Sequence, residues 1–245
     1  MSSLRTLSKT SVNAVAEMFG VRLVNAGWGP HGYVATLKRA KSRGYAPRTV
    51  LDIGASDGRW TRECRTVFPE AHYFLADPLP DNKAALRNLE RSDRRVRVWT
   101  GAIGSAEGFM EIYCHGDQSS FLASREFSGP NRRVEVRTLD SFLASHSFEG
   151  PLLLKADVQG HEIEVLRGAA RCLEITEMLL LEVSFQRFYD ECPLAHEVIT
   201  YAGQRGFCLY DICTYVQRAS DRELIQADLA FARADSKLFA REGWA

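Results

Sequence analysis

The chain carries no excess of either charge, 31 Lys and Arg against 31 Asp and Glu in 245 residues. A protein that depends on counterion release from nucleic acid carries a basic surplus, so the balance argues against general nucleic-acid binding. Long apolar runs are also missing. The longest, around Met178 to Val183, falls far short of the roughly 20 residues a spanning helix requires. The opening Met1-Ser-Ser-Leu-Arg-Thr has neither the basic nor the apolar region of a secretory signal. A cytoplasmic protein without a membrane span is expected. Six cysteines, at 64, 114, 172, 192, 208 and 213, include no C-x-x-C pair, which argues against a zinc ribbon or a redox dithiol and for reduced, mostly buried thiols. There are no internal repeats and no low-complexity stretch. With 45% hydrophobic residues a sizeable core is affordable.

What is present divides near Pro47. Before it, Val12, Val15, Met18 and Phe19, and later Val34, Leu37 and Ala40, recur at helical spacing on either side of the loop Asn25-Ala-Gly-Trp-Gly-Pro-His-Gly32. Residues 1–46 are read as an N-terminal helical extension and 47–245 as one domain. After Arg48, short apolar runs alternate with longer amphipathic ones, the pattern of a parallel α/β sheet. Strands are expected at 49–53, 72–76, 96–100, 152–156 and 178–183. Helices are expected at 59–67, 81–90 (capped by the Asp81 side chain), 162–172 and 195–206. Alternation at Phe109–Tyr113 and 132–137 marks a small antiparallel insertion on the parallel core. The segments 207–212 and 229–234 are expected to close the sheet as a pair joined by a long connection.

The first strand runs into Leu51-Asp-Ile-Gly-Ala-Ser-Asp-Gly58, a D-x-G-x-x-x-G turn opening a helix, where glycines let a ligand approach the backbone. Asp77 ends the second strand, at the distance from that turn suited to accepting hydrogen bonds from ribose hydroxyls. A dinucleotide fold wants a middle glycine to clear room for pyrophosphate; Ser56 stands there. S-adenosylmethionine has no pyrophosphate, and its cationic sulfonium and amino groups give Asp52 a role at the mouth of the loop. Further on, Leu154-Lys-Ala-Asp-Val-Gln-Gly-His-Glu162 sets Lys155, Asp157 and His161 at the carboxyl end of an apolar strand, the edge at which open parallel sheets bind ligands. Lys155 reads equally well as a structural partner of a buried carboxylate.

These residues resemble the FkbM-type methyltransferases from about Gly44 onward. The agreement includes Thr49-Val-Leu-Asp-Ile-Gly-Ala55, Ala76-Asp-Pro78, Ala102-Ile-Gly104, Ser119-Ser-Phe121, Thr138-Leu-Asp140, the lysine–aspartate–glycine block at 154–162, Leu181-Glu-Val183 and Asp228-Leu-Ala-Phe231. The resemblance implies a Rossmann-like seven-stranded methyltransferase sheet with helices on both faces. It also implies S-adenosyl-L-methionine as donor and O-methylation of a small-molecule acceptor: a sugar, glycolipid or secondary metabolite. Carried over, Asp52, Gly54, Ala55 and Gly58 line the cofactor, Asp77 and Pro78 hold the ribose end, Ala102 and Ile103 border the adenine, and Lys155, Asp157 and His161 face the transferred methyl. Two positions depart from the family pattern: Gln159 stands where Glu is usual, and Asp77 replaces a commoner Glu.

Methyl transfer is an in-line displacement, so the protein must align the acceptor oxygen and take its proton. Asp157 is the first candidate base and His161 the second, since a neutral imidazole accepts a proton near neutral pH. Asp157 with Glu182 could hold a divalent cation, which the spacing does not require. The rival reading from another class is a nucleoside-binding scaffold that has lost its chemistry, made thinkable by Gln159. An N-methyltransferase is disfavoured, because Asp157-Val-Gln-Gly160 replaces a motif such as N-P-P-Y. Gly27–Gly32, with Trp28 and His31, and Ser119–Pro130 are the expected acceptor loops. Apolar strand ends allow a homodimer.

Overall fold

The computed structural model describes residues 31–124, 129–146 and 148–240, and residues 31–245 cluster as one compact unit. The pattern expected at Val12–Phe19 and most of the loop around Trp28 lie outside the described residues. Helix α1 (Tyr33–Ser42) carries the Val34–Leu37–Ala40 repeat, with Leu37 and Ala40 fully buried.

Seven strands form the main sheet: β1 (Thr49–Ile53), β2 (His72–Ala76), β3 (Val96–Trp99), β7 (Leu152–Ala156), β8 (Thr176–Ser184), β9 (Phe207–Gln217) and β10 (Leu224–Arg233). Their order is β3-β2-β1-β7-β8-β10-β9. The first five are mutually parallel, and β10 runs antiparallel to both β8 and β9. β1 and β7 are buried along their whole length, which is why they read as mostly apolar runs rather than as alternation, each broken by one charged residue, Asp52 in β1 and Lys155 in β7. Side chains of a strand still alternate between faces. Leu51, Ile53, Leu152 and Leu154 pack on one side with Leu139, Val165, Cys172 and Val198. Val50 and Leu153 pack on the other with Leu37, Cys64 and Leu86. The result is a helix–sheet–helix sandwich whose carboxyl-end edge gathers the loops after β1, β2 and β7.

β1, β2, β7 and helix α2 (Arg59–Val67) take the expected bounds. Elsewhere the structure corrects the expectation. Helix α3 (Pro80–Ser92) starts at Leu79 with no side-chain cap, so Asp81 lies in the first turn, where its charge complements the helix dipole, instead of capping it. The small antiparallel insertion is present as expected and gains one short parallel strand. β5 (Gly108–Tyr113) pairs antiparallel with β6 (Asn131–Arg137), and β4 (Ala102–Ile103) pairs parallel with β6 on its other side, making a separate three-stranded sheet. The helix expected at 162–172 is broken into α5 (Glu162–Arg167) and α6 (Ala170–Glu174). At the break Gly168 packs so closely on Gly104 that a Cβ would lie 1.9 Å from its carbonyl oxygen. The closing pair is one hairpin of long strands whose connection is only residues 218–223, because the pairing with β10 continues through Thr214, Tyr215 and Val216. Helix α4 (Leu139–Ser145), capped by the Thr138 side chain, was not anticipated.

The cysteines are free thiols, with Cys64, Cys172, Cys192 and Cys213 buried. Among the described residues no helix is long and apolar enough to cross a membrane.

Candidate active site

A cavity of about 600 Å³ opens over the carboxyl ends of β1, β2 and β7, within the ordinary range for a small-molecule site. At one end lie Asp77, Pro78, Leu79, Asn82, Ala102, Ile103 and Ile112; at the other, Lys155, Asp157, Gln159, Glu182 and Asp228; Gly54, Ala55 and Ser56 run between them.

The loop after β1 is built by its own hydrogen bonds. Gly54 and Ala55 amides donate to the Ala76 carbonyl, Ser56 to Asp77 Oδ2, Gly58 to the Ala55 carbonyl and Arg59 to Asp57 Oδ1. A phosphate cradle needs backbone N–H groups free to point at the anion; here these five are spent on the fold. Gly54, at φ 75°, passes so close to β7 that a Cβ would sit 1.8 Å from the Asp157 carbonyl oxygen. No other residue type fits.

Asp77 is a fixed acceptor. Its Oδ1 takes the Leu79 amide and the Asn82 side-chain amide, both near 3 Å, and its Oδ2 takes Ser56 N–H at 2.9 Å. A carboxylate offers about four lone-pair sites, so capacity remains for a ligand hydroxyl. Burial pushes its pKa up, against the pull of those three donors.

At the other end, Lys155 Nζ donates to the Gly54 carbonyl at 2.8 Å and pairs with Asp52 Oδ1 at 3.1 Å and Asp157 Oδ2 at 3.5 Å. Burial works to lower the Lys155 pKa, and Asp52 and Asp157 more than reverse it. Asp52 is wholly buried, accepts from the Thr61 hydroxyl at 2.6 Å and does not line the cavity. It therefore sits beneath the floor as the partner of Lys155, not at the mouth of the loop. The structural reading of Lys155 and its place in the cavity wall hold together.

Asp157 is about a third exposed at its side chain, and Gln159 donates its amide to Asp157 Oδ1 at 3.2 Å and to Glu182 Oε2 at 2.7 Å. Burial, then the neighbouring Asp157, Glu162 and Asp228 charges, push Glu182 up. Among the described residues no three His, Cys, Asp or Glu side chains group as a metal site.

His161 is placed elsewhere. The left-handed residues Gln159 and Gly160 turn the chain away from the cavity. His161 then stacks on Phe121 at 4.9 Å and lines a separate depression with Phe109 and Met110. Burial lowers its pKa, so the ring is neutral there. Its Nε2 has no hydrogen-bond partner among the described residues.

Sequence reasoning passed over Tyr33, Trp60, Asn82 and Asp117 as site residues, all of which line the cavity. Nothing in the spacing of Trp60 singles it out. Its ring lies 5.9 Å from that of Tyr33, and its buried indole N–H has no hydrogen-bond partner among the described residues. Of the expected acceptor loops, Ser119 and Phe121 reach the cavity, and the Ser56 hydroxyl donates to Asp117 at 3.0 Å, tying that loop across the opening.

Glu162 braces the turn. Its Oε1 accepts the Val158 and Gly160 amides, both at 3.1 Å, and burial raises its pKa to about 7. The native chain therefore holds a proton that the unfolded chain releases near pH 4.5, so this group's contribution to stability falls as pH rises from about 4.5 to 7. At about 1.4 kcal/mol per unit the effect is on the order of 3.5 kcal/mol. Glu162→Gln keeps the accepting oxygen and removes the charge. In urea unfolding at pH 5 to 8 the variant is expected to gain on the wild type progressively as pH rises; parallel pH profiles would refute the account.

A nucleoside with a cationic tail and no phosphate fits this cavity: a saturated loop in place of an anion cradle, a buried carboxylate at one end, carboxylates at the other and an orphaned indole N–H in the wall. The sheet order, with its single reversed strand and its cavity at the carboxyl edge, defines the class as the Rossmann-like methyltransferases. The methyltransferase FkbM domain matches residues 52–209, well over half of the chain, and the chain belongs to that family. It is 28% identical over 163 residues to the 2-O-methyltransferase NoeI of Sinorhizobium fredii, covering 59% of this chain and 67% of that protein. It is 25% identical over 138 residues to the hexuronic acid methyltransferase AglP of Haloferax volcanii, covering 55% of each. The crystal structure of an FkbM methyltransferase from Methylobacillus flagellatus superposes with a TM-score of 0.48 at 18% identity, over 74% of this chain and 43% of that one. The chain thus spans two thirds or less of these relatives.

Proposed function

We propose that this methyltransferase transfers the methyl group of S-adenosylmethionine to a hydroxyl of a sugar, glycolipid or secondary metabolite, with Asp157 as the base. The observation that carries the reading is the position of Asp157: a partly exposed carboxylate in the cavity wall, with one oxygen held by Gln159 and the other beside Lys155. The relatives named as a 2-O-methyltransferase and a hexuronic acid methyltransferase support a sugar-like acceptor.

S-adenosylmethionine would supply a methyl carbon already activated by the sulfonium. Asp77, with Asn82 beside it, would accept the ribose hydroxyls; Pro78, Leu79, Ala102, Ile103 and Ile112 would flank the base; Gly54 and Ala55 would pass under the tail. Lys155 fixes the floor and the Asp157 carboxylate, which takes the acceptor proton as the new bond forms. Proton removal by a positioned base contributes about 10²–10⁴-fold.

Incubating the chain with methyl-labelled S-adenosylmethionine and a panel of glycosides, uronic acids and hydroxylated aglycones tests the reading. Label is expected on a hydroxyl of at least one, and label only on amines or thiols would overturn it. Asp77→Ala is expected to weaken cofactor binding about 10- to 100-fold, the worth of a charge-assisted hydrogen bond. Unchanged affinity in calorimetry would remove the ribose assignment.

A further inference from the structure

Gln159 is 7% exposed and its backbone is left-handed, φ 52°. For a residue other than glycine that conformation costs on the order of 1 kcal/mol and persists only where the surroundings enforce it. Two hydroxyls enforce it here. Ser120 donates to the Gln159 carbonyl at 2.7 Å, and Tyr189 donates to its Oε1 at 3.1 Å. Tyr189 shares its one proton with the Gln118 carbonyl at 3.0 Å, so it is the acceptor-only carboxylates that fix the amide orientation: Nε2 points between Asp157 Oδ1 at 3.2 Å and Glu182 Oε2 at 2.7 Å. Gln226 adds a second donor to the same Glu182 oxygen at 3.1 Å.

Two carboxylates that converge on one point repel unless a proton, a cation or hydrogen-bond donors lie between them. A divalent cation bridging oxygen ligands is one common solution. A side-chain amide has two N–H donors, and both are used here in the position that such a cation would take. The amide brings no charge, so it holds the carboxylates without competing for the acceptor proton.

We propose that Gln159 is a positioning residue that stands in for a bridging divalent cation, aligning Asp157 on the acceptor hydroxyl and making the reaction independent of metal. This rests on the reading of Asp157 as the base. It also gives a reason for glutamine at a position where a carboxylate would complete a three-carboxylate cation site.

The test is calorimetric titration of Mn²⁺ into the full chain with S-adenosylhomocysteine present. The wild type is expected to show no saturable uptake. Gln159→Glu is expected to take up one equivalent, and adding Glu182→Gln to that variant should weaken the uptake by at least about tenfold. Gln159→His, a residue tolerant of left-handed backbone, provides a second ligand type should the first variant fail to fold. Wild-type turnover on an acceptor found by the panel is expected to survive EDTA unchanged. Saturable wild-type uptake that Glu182→Gln abolishes, wild-type turnover lost in EDTA, or folded Gln159→Glu and Gln159→His both without uptake would each overturn the proposal. The Mn²⁺ arms read the same with or without bound nucleoside, so failure of the cofactor reading would be recognised separately.

Discussion

Lys155→Met is expected to lower the free energy of unfolding by about 3–5 kcal/mol, the cost of leaving one member of a buried ion pair uncompensated. The side chain of Lys155 is 7% exposed and that of Asp52 wholly buried. Without the ammonium, Asp52 keeps only the Thr61 hydroxyl, and the Gly54 carbonyl loses its donor at the tightest point of the cofactor loop. Methionine matches the aliphatic stem, so the loss reports charge rather than volume. Asp52→Asn added to Lys155→Met should restore much of the stability, because the orphaned charge goes with it. Urea unfolding of the three variants measures this. A loss below about 1 kcal/mol in Lys155→Met, the range of an exposed pair, would contradict the account.

The second large effect concerns turnover. Asp157→Asn keeps the oxygen that Gln159 binds and removes the base. Methyl transfer is expected to fall by about 10²–10⁴-fold while cofactor affinity stays within about threefold. His161→Gln is expected to leave turnover nearly unchanged, since the imidazole faces the depression near Phe109 and not the cavity. Initial rates on a labelled acceptor separate these outcomes. A collapse in His161→Gln with normal rates in Asp157→Asn would exchange the two assignments.

That contrast shows where sequence stops. β1, β2 and β7 were legible to the residue because each is a short apolar run ended by Gly, Pro or Asp, and a buried parallel strand has no polar face to blur it. The seven-stranded sheet was implied by the family resemblance, whereas the strand order, with β10 between β8 and β9, came only from the structure. Helix α4, seven residues long, offered too little periodicity to read. The break at Gly168 depends on a contact with Gly104, remote in the chain. The same limit applies at the site. Asp52, Asp77, Lys155 and Asp157 were picked out by spacing, but spacing could not place Asp52 below the floor or fill three of the acceptor positions on Asp77. Nor could it show that Gln159 and Gly160 swing His161 away. Gln159, noted only as a departure from the family pattern, is the residue the geometry ties to both carboxylates.

The central claim is that the cavity holds S-adenosylmethionine, and calorimetric titration with that nucleoside and, separately, with NAD tests it most directly. Because the Gly54, Ala55, Ser56, Gly58 and Arg59 amides are spent on the fold and do not cradle a pyrophosphate, saturable binding of one S-adenosylmethionine per chain and none of NAD is the result expected. Saturable binding of NAD without S-adenosylmethionine, or of neither, would contradict it.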